Sequence, residues 1–371
     1  MTQDINDKPE QIIREETNNF PCPSCGANMT FNPETQTLTC GYCAKSVEIA
    51  AKDGHIEEHD FFTAKDTSAG NWGSETRVMH CQNCGAGTVL DVFNTAQSCA
   101  FCGSAHVTKS IESAGIPPES LIPFLISFKK AAENYSKWLK GKFFAPRDVK
   151  IEHKAVRLNG VYVPFWTYDA DTWSAYSGEA GEYYYETQNG WAKVNGKQQM
   201  VTKQVRQIRW RPTSGVYTEY FDEIPVNASK NIEENIINKL HNFDMKKLVL
   251  YKPEYLSGFQ AERYGIGLEE GWLKARKKVD SEIYKGVIDQ IRADEVRNLS
   301  INTICKTIKF KHVLLPVWIS AFTYKKKIYR FMVNGQTGNV QGETPVSLLK
   351  VAGTMAAFIL AFIIIYLIFK R

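Results

Sequence analysis

Cys22-Pro-Ser-Cys25-Gly26-Ala-Asn-Met-Thr-Phe31-Asn-Pro-Glu-Thr-Gln-Thr-Leu38-Thr-Cys40-Gly41-Tyr42-Cys43 decides how this chain is read. Two Cys-x-x-Cys pairs stand fourteen residues apart, and Phe31 and Leu38 flank a polar Asn-Pro-Glu-Thr-Gln-Thr turn between two short strands. A hairpin of this kind brings its two ends, and therefore both thiol pairs, to one place. Four soft sulfurs suit the tetrahedral shell of a structural zinc ion. Gly26 and Gly41 follow cysteines of the two pairs, where glycine admits the turn that aims backbone N–H groups at sulfur.

The pattern recurs further along the chain. Cys81, Cys84, Cys99 and Cys102 each lie 59 residues beyond Cys22, Cys25, Cys40 and Cys43, and Gly85 and Gly103 again follow the pairs. The spacing predicts two four-cysteine zinc ribbons, at 19–50 and 76–107, holding two structural Zn2+ ions. With cysteine at all four positions, neither site keeps an opening for water or substrate. Domains below roughly 40 residues seldom fold without a metal or disulfide, so zinc here supplies folding free energy. A redox dithiol, an iron–sulfur cluster and a disulfide framework compete with zinc for these cysteines. A redox pair usually stands singly in a βαβ context, and a secreted framework calls for an export signal.

At the far end, Val351 to Phe369 runs nineteen residues without a charge. At about 1.5 Å per residue such a helix is about 29 Å long, matching the ~30 Å hydrocarbon layer of a bilayer. A single transmembrane helix at 348–369 is the expectation. The first twenty residues are polar and carry Asp4, Asp7, Glu10, Glu15 and Glu16, unlike a secretory signal. The chain thus reads as tail-anchored in the inner cell membrane with its N-terminal domains in the cytoplasm. A reducing compartment suits the thiols, and Lys325, Lys326, Lys327, Arg330 and Lys350 lie on the inner side; Lys370 and Arg371 oppose this bias.

The 371 residues, 43% hydrophobic and 23% charged, are globular material for about two domains plus accessories. The net charge of +5 divides into −7 over residues 1–60 and +12 over the remainder. Four thiolates around one divalent cation add about −2 per site. Phosphate recognition depends on Lys and Arg, so this acidic end is poorly suited to nucleic acid. Residues 1–18 read as a flexible acidic leader and 51–75 as a linker.

The expected fold class is α+β, in which a larger antiparallel β-rich domain with amphipathic helices, 116–345, follows the two ribbons and precedes the span. Leu121-Ile-Pro-Phe-Leu-Ile126 reads as a strand, and Lys129 to Lys140 as a helix burying Ala131, Ala132, Tyr135, Trp138 and Leu139. Residues 158–221 are aromatic and β-forming, with hairpin turns expected at Gly-Glu-Ala-Gly-Glu and at Asn-Gly-Trp-Ala-Lys-Val-Asn-Gly-Lys. Helices follow over Asn231 to Leu248 and Leu268 to Arg292. Val161-Tyr-Val-Pro164-Phe-Trp166 and Val313-Leu-Leu-Pro316-Val-Trp318 echo one another, a candidate duplicated strand unit.

Little else in the chain suggests chemistry. His55, His59, His80, His106, His153, His241 and His312 show no ligand spacing, Asp169 and Asp171 read as neighbouring acids in a turn, and Cys305 reads as a small buried hydrophobe. The aromatics interleaved with Lys203, Arg206, Arg209 and Arg211 suit a sheet core better than a stacking platform. No P-loop, Rossmann glycine signature or nucleophile elbow is present, and no enzymatic activity is expected.

Cys-Pro-x-Cys-Gly with a second ribbon, then Leu121-Ile-Pro-Phe-Leu-Ile126, Trp138-Leu-Lys-Gly-Lys-Phe-Phe-Ala-Pro146 and Gly160-Val-Tyr-Val-Pro-Phe-Trp-Thr-Tyr-Asp-Ala170, resembles the bacterial membrane proteins described as transcription-factor-IIB-type zinc-ribbon-containing. The resemblance covers 19–345. Members are sometimes labelled primosomal-helicase-like for their ribbons, but this chain has no Walker motif. Some are associated with phage-shock-protein-A-type envelope stress systems, which implies a protein partner such as a phage-shock-type peripheral membrane protein. The function expected is a membrane-anchored, cytoplasm-facing zinc-ribbon scaffold or adaptor; the alternative is a membrane-tethered nucleic-acid-binding protein. No oligomeric state follows from the sequence.

Overall fold

The computed structural model describes residues 20–50, 54–64, 77–81, 87–90, 101, 107–111, 116–152, 158–194, 197–232, 234–240, 243–325 and 327–370. Over these residues the chain is α+β, with a large, mainly antiparallel sheet, few helices, a four-cysteine cluster near the N-terminus and a C-terminal apolar helix. The first three strands, β1 (Met29–Asn32), β2 (Thr37–Cys40) and β3 (Ser46–Glu48), form a separate small antiparallel sheet. Met29, Phe31 and Leu38 alternate with polar neighbours and turn inward together, as Phe31 pairs with Leu38 and Met29 with Cys40.

In chain order there follow β4 (His59–Asp60), β5 (Arg77–Cys81), β6 (Gly87–Leu90), β7 (Val107–Ile111), β8 (Ser120–Leu121), α1 (Phe128–Gly141), α2 (Arg147–Glu152), β9 (Asn159–Val194) and β10 (Lys197–Asn227). Then come α3 (Glu234–Leu240), β11 (Val249–Leu250), β12 (Gln260–Glu262), α4 (Leu268–Ile291), β13 (Glu295–Tyr324), β14 (Lys327–Asn334), β15 (Val340–Gly342) and α5 (Leu348–Phe369). All strands from β4 onward join one sheet.

That sheet is built by duplication. β9 and β13 lie antiparallel with Val163 opposite Leu315, so the two echoed Pro-x-Trp motifs face one another across a local two-fold axis. The symmetry extends well beyond the motifs. β12 pairs in parallel with β9 at Val161 and Tyr162, and β8 pairs in parallel with β13 at the equivalent Val313 and Leu314. Leu121 precedes α1 by as many residues as Ala261 precedes α4. Each long strand returns in a hairpin that ends on asparagine: Asn227 of β10 lies opposite Phe165, and Asn334 of β14 opposite Val317. Each asparagine side chain then accepts from the backbone N–H two residues on. The repeating unit is short strand, helix, long hairpin, and each helix packs on the long hairpin of the other copy.

The two sheet faces bury different helices. Val161, Val163, Phe165, Val313, Leu315, Val317 and Ile319 meet Ile236, Ile237 and Leu240 of α3. On the opposite face Tyr135 of α1 stacks on Phe331 at 3.6 Å, while Ala275, Val279, Ile283 and Val287 of α4 cover Trp166, Tyr168 and Phe310. A Cβ at Gly271 would collide with the Tyr168 hydroxyl and the Trp166 ring, so glycine sets how closely α4 approaches.

Several expectations change on inspection. Gly178 to Glu182 is not a turn; β9 runs through it, and its ladder with β10 closes only at Val194 opposite Lys197. At about 3.3 Å per residue β9 is on the order of 100 Å long. β13 accompanies it as far as Gly181, and 182–194 with 197–209 continue as a two-stranded ribbon. The helix expected over 231–248 is limited to α3, because the Asp244 N–H is taken by Gln336 and the Asp244 side chain caps a separate 3-10 turn. Leu121 to Ile126 is strand only at its start, after which Leu125 and Ile126 donate to the Gly335 carbonyl. The described part of 51–75 is more than a linker. β4 pairs with Lys309 and Phe310 of β13, and Phe61 is buried in the α4 core.

Candidate metal centre

The N-terminal hairpin does what its sequence requires. Sγ of Cys22 lies 3.4 Å from that of Cys43, and Cys25 Sγ lies 3.5 Å from both Cys40 and Cys43. All four sulfurs fall within 4.8 Å of one another. A tetrahedron with Zn–S bonds of about 2.3 Å has edges of about 3.8 Å, and a disulfide would need about 2.05 Å. These four cysteines therefore fit a metal ion such as zinc, and all are free thiols. Cys22 and Cys40 are buried; Cys25 and Cys43 are exposed.

Backbone geometry at the two knuckles matches. The Ser24 N–H points at Cys22 Sγ at 3.4 Å, Gly26 N donates to Cys22 O at 2.9 Å, and Ala44 N donates to Cys40 O at 3.0 Å. Gly26 takes φ +74° and Ala44 takes φ +59°. The left-handed residue of the second knuckle is thus Ala44, after the pair, and not Gly41 within it, which corrects the sequence assignment. Charge divides unevenly over the cluster. Burial opposes ionisation of Cys22, yet N–H groups of Ser24 and Cys25 and the adjoining thiols bring it down to about 6. Cys40 is lowered by the N–H groups of Cys43 and Tyr42. Cys25 receives the Ala27 N–H, but crowding by Cys43 and burial push it up to about 12. Cys43 also receives an N–H, from Lys45, yet is raised by Cys22. Sulfurs this close repel when all are ionised, and a divalent cation among them removes that conflict.

The ribbon is fastened to the large domain. Ser257 donates its hydroxyl to Met29 O at 2.6 Å and accepts the Phe31 N–H at 2.9 Å through its carbonyl, and Gln36 Nε2 donates to Phe124 O at 2.8 Å. Phe31 packs edge-on against Tyr255 at 5.3 Å, and Phe259 stacks on Phe124 at 4.3 Å. The cysteine cluster is held on the large domain through these contacts.

Of the second set, Cys81 ends β5, whereas Cys84, Cys99 and Cys102 lie outside the described residues. Phe101, between the last two, is described and only 2% exposed, packed in the core beneath α3. Tyr42 holds the matching place in the first ribbon and is 87% exposed. Sequence reasoning passed over this position, although aligning the two ribbons on their cysteines matches Tyr42 with Phe101.

Among the described residues the remaining candidates serve the fold; His106, His153 and His241 lie outside them. Asp169 is buried and accepts the Glu223 N–H at 2.6 Å, which holds the β10 bulge; burial lifts its carboxyl to about 6. Lys311, also buried, lies 2.9 Å from Glu223 and 3.4 Å from Glu58, which ties the segment before β4 to β13. His59 pairs with Glu119 at 3.0 Å, and the other oxygen of Glu119 accepts the His312 N–H at 2.7 Å. Cys305 is half-buried and accepts from Arg276 at 3.2 Å, so it is not a plain core residue. The aromatics divide by depth: Tyr162, Phe165, Trp166, Tyr168 and Tyr176 are core, while Tyr184, Tyr185, Trp191 and Tyr220 are exposed. α5 is the one described helix long and apolar enough to cross a membrane.

No family model matches the chain, and no solved structure matches it. It is similar to a protein of Bacillus subtilis (strain 168) described as "Uncharacterized protein YdjG", with 28% identity over 347 residues covering 90% of this chain and 92% of the relative.

Proposed function

We propose that the chain is a membrane-anchored zinc-ribbon adaptor of the transcription-factor-IIB-type ribbon group, facing the cytoplasm from the inner membrane and holding two structural Zn2+ ions. The first ribbon presents a docking point for a protein partner, in keeping with a phage-shock-type peripheral membrane protein. The contrast between Phe101 and Tyr42 carries this reading. At one ribbon position the chain buries an aromatic in its own core, and at the duplicate position it holds an aromatic out to solvent on a ribbon whose hairpin is fastened by Ser257 and Gln36. Tyrosine has only two side-chain torsions to freeze, so an exposed tyrosine loses little entropy when a partner covers it. A terminal span confines encounters to the membrane surface and raises the effective concentration of partners there.

The test is proximity labelling in the native cell with the full chain, its Tyr42→Ala variant and a Cys22→Ser/Cys25→Ser variant. The reading expects one membrane-peripheral protein to be enriched by the parent and lost from both variants, with all three still in the membrane fraction. Equal labelling by parent and variants would contradict it. A second reading, nucleic-acid binding, draws on the outer β9–β10 ribbon, where exposed Tyr185 and Trp191 accompany Lys203, Arg206 and Arg209. Retention on DNA that weakens steeply with salt would favour it.

A further inference from the structure

The loop between α1 and α2 ends in two exposed aromatics beside the start of the apolar helix. Phe143 is 65% and Phe144 42% exposed, their rings in edge contact at 5.2 Å. Ala145, the next residue, is buried in the core under α1. This lobe is tied to α5 through the backbone. Ser347 N donates to Phe144 O at 2.9 Å, and Lys350 Nζ donates to Phe143 O at 3.0 Å and Ala145 O at 2.6 Å. Leu348 and Leu349, in the first turn of α5, are exposed alongside. Apolar side chains thus collar the helix at one level, where a soluble surface seldom gathers them.

We propose that the Phe143–Phe144 lobe inserts into the interfacial layer of the bilayer and holds the domain at a fixed attitude on the membrane. Three observations favour lipid as the occupant. The lobe is continuous with the helix that would enter the membrane. The Lys350 ammonium is drawn out of the apolar stretch onto loop carbonyls, which places the hydrocarbon boundary at the level of the lobe. Exposed Lys142 belongs to the same loop, Arg147 begins α2, and exposed Lys325 and Lys327 flank the neighbouring β13–β14 turn, which Tyr324 joins to α2 through Asp148 at 2.9 Å. Cations at this level meet acidic headgroups while aromatic rings rest at the boundary.

The inference rests on α5 crossing a membrane, and its test separates the two. The full chain is reconstituted into phosphatidylcholine/phosphatidylglycerol vesicles containing a phospholipid with a photoactivatable acyl chain, and adducts are mapped by mass spectrometry. Adducts on residues 351–369 and at 143–144 are expected. In Phe143→Ser/Phe144→Ser the second set should fall at least about tenfold, and in Phe143→Leu/Phe144→Leu it should persist, the apolar volume and the backbone ties being kept. Adducts on the span with none at the lobe overturn the insertion alone; no adducts at either place overturn the membrane span as well.

Discussion

Trp166 and Trp318 make the same hydrogen bond in the two halves of a duplicated sheet. Trp166 donates its indole N–H to Ile266 O, just before α4, and Trp318 donates to Ile126 O, just before α1, each at 2.9 Å. Each tryptophan thus fixes the helix of the other copy, and the two halves are locked by exchange rather than by stacking two finished units. Replacing either by Phe takes away that carbonyl's indole partner, costing about 1–3 kcal/mol. Trp166→Phe and Trp318→Phe should lower the thermal midpoint of the full chain in detergent by comparable amounts; an effect confined to one of them would count against the equivalence.

Ala44 holds φ +59° in a knuckle where its counterpart is Gly26. A left-handed conformation costs a residue with a Cβ about 1–2 kcal/mol, part of which glycine returns through its looser unfolded chain. Ala44→Gly should therefore slow zinc loss to a chelator by about two- to fivefold, measured with a chromogenic metal indicator. Faster loss would show that the knuckle has another geometry.

Glu262 lies fully buried, with Oε1 accepting from Ser229 and Asn231 at 2.7 Å and Oε2 unpartnered. Burial lifts its carboxyl from 4.5 to about 7. Between those values the folded chain keeps a proton that the unfolded chain has released, so this group's contribution to stability falls as pH rises through that window and is fully adverse above it. Glu262→Gln should match the parent near pH 4 and exceed it above pH 7 by about 3 kcal/mol, at about 1.4 kcal/mol per unit. Comparing variant with parent in denaturant titrations cancels the opposite effect of His312, which burial lowers to about 4. A constant difference at all pH values would mean that the carboxyl is solvated.

The first four-cysteine cluster was legible in advance because metal ligation is local: cysteine spacing alone brings Cys22, Cys25, Cys40 and Cys43 together. The sheet was legible only in part. Alternation and aromatic content identify β9 and β10 as strands, but Gly178 and Gly181 looked like a turn, since nothing local reveals that Arg297 and Glu295 of β13 lie alongside to support them. The echo around Pro164 and Pro316 was visible as sequence. Its extension to β8, β12, α1 and α4 was hidden, because Leu121 and Ala261 share spacing and not composition. Tyr42 and Phe101 differ only in what lies beside them, a tertiary property that no window of sequence contains.

Loss of metal should be felt where the ribbon rests. Cys22→Ser/Cys25→Ser removes two ligands, and Met29, Phe31 and Leu38 cannot hold a hairpin of this size unaided. Hydrogen exchange should then quicken within 20–50 and at 255–259, where Ser257 and Tyr255 lose their ribbon contacts, while β9 and β13 stay protected and the chain stays in membranes. Exchange unchanged at Ser257 would deny the docking.

The most direct test of the account is the metal content of the full chain purified in detergent under reducing conditions. The account predicts about two zinc ions per chain, falling to about one in Cys22→Ser/Cys25→Ser, with the ligand thiols slow to react until a chelator is added. A metal-free chain whose cysteines react at once, or are found as cystines, would contradict it.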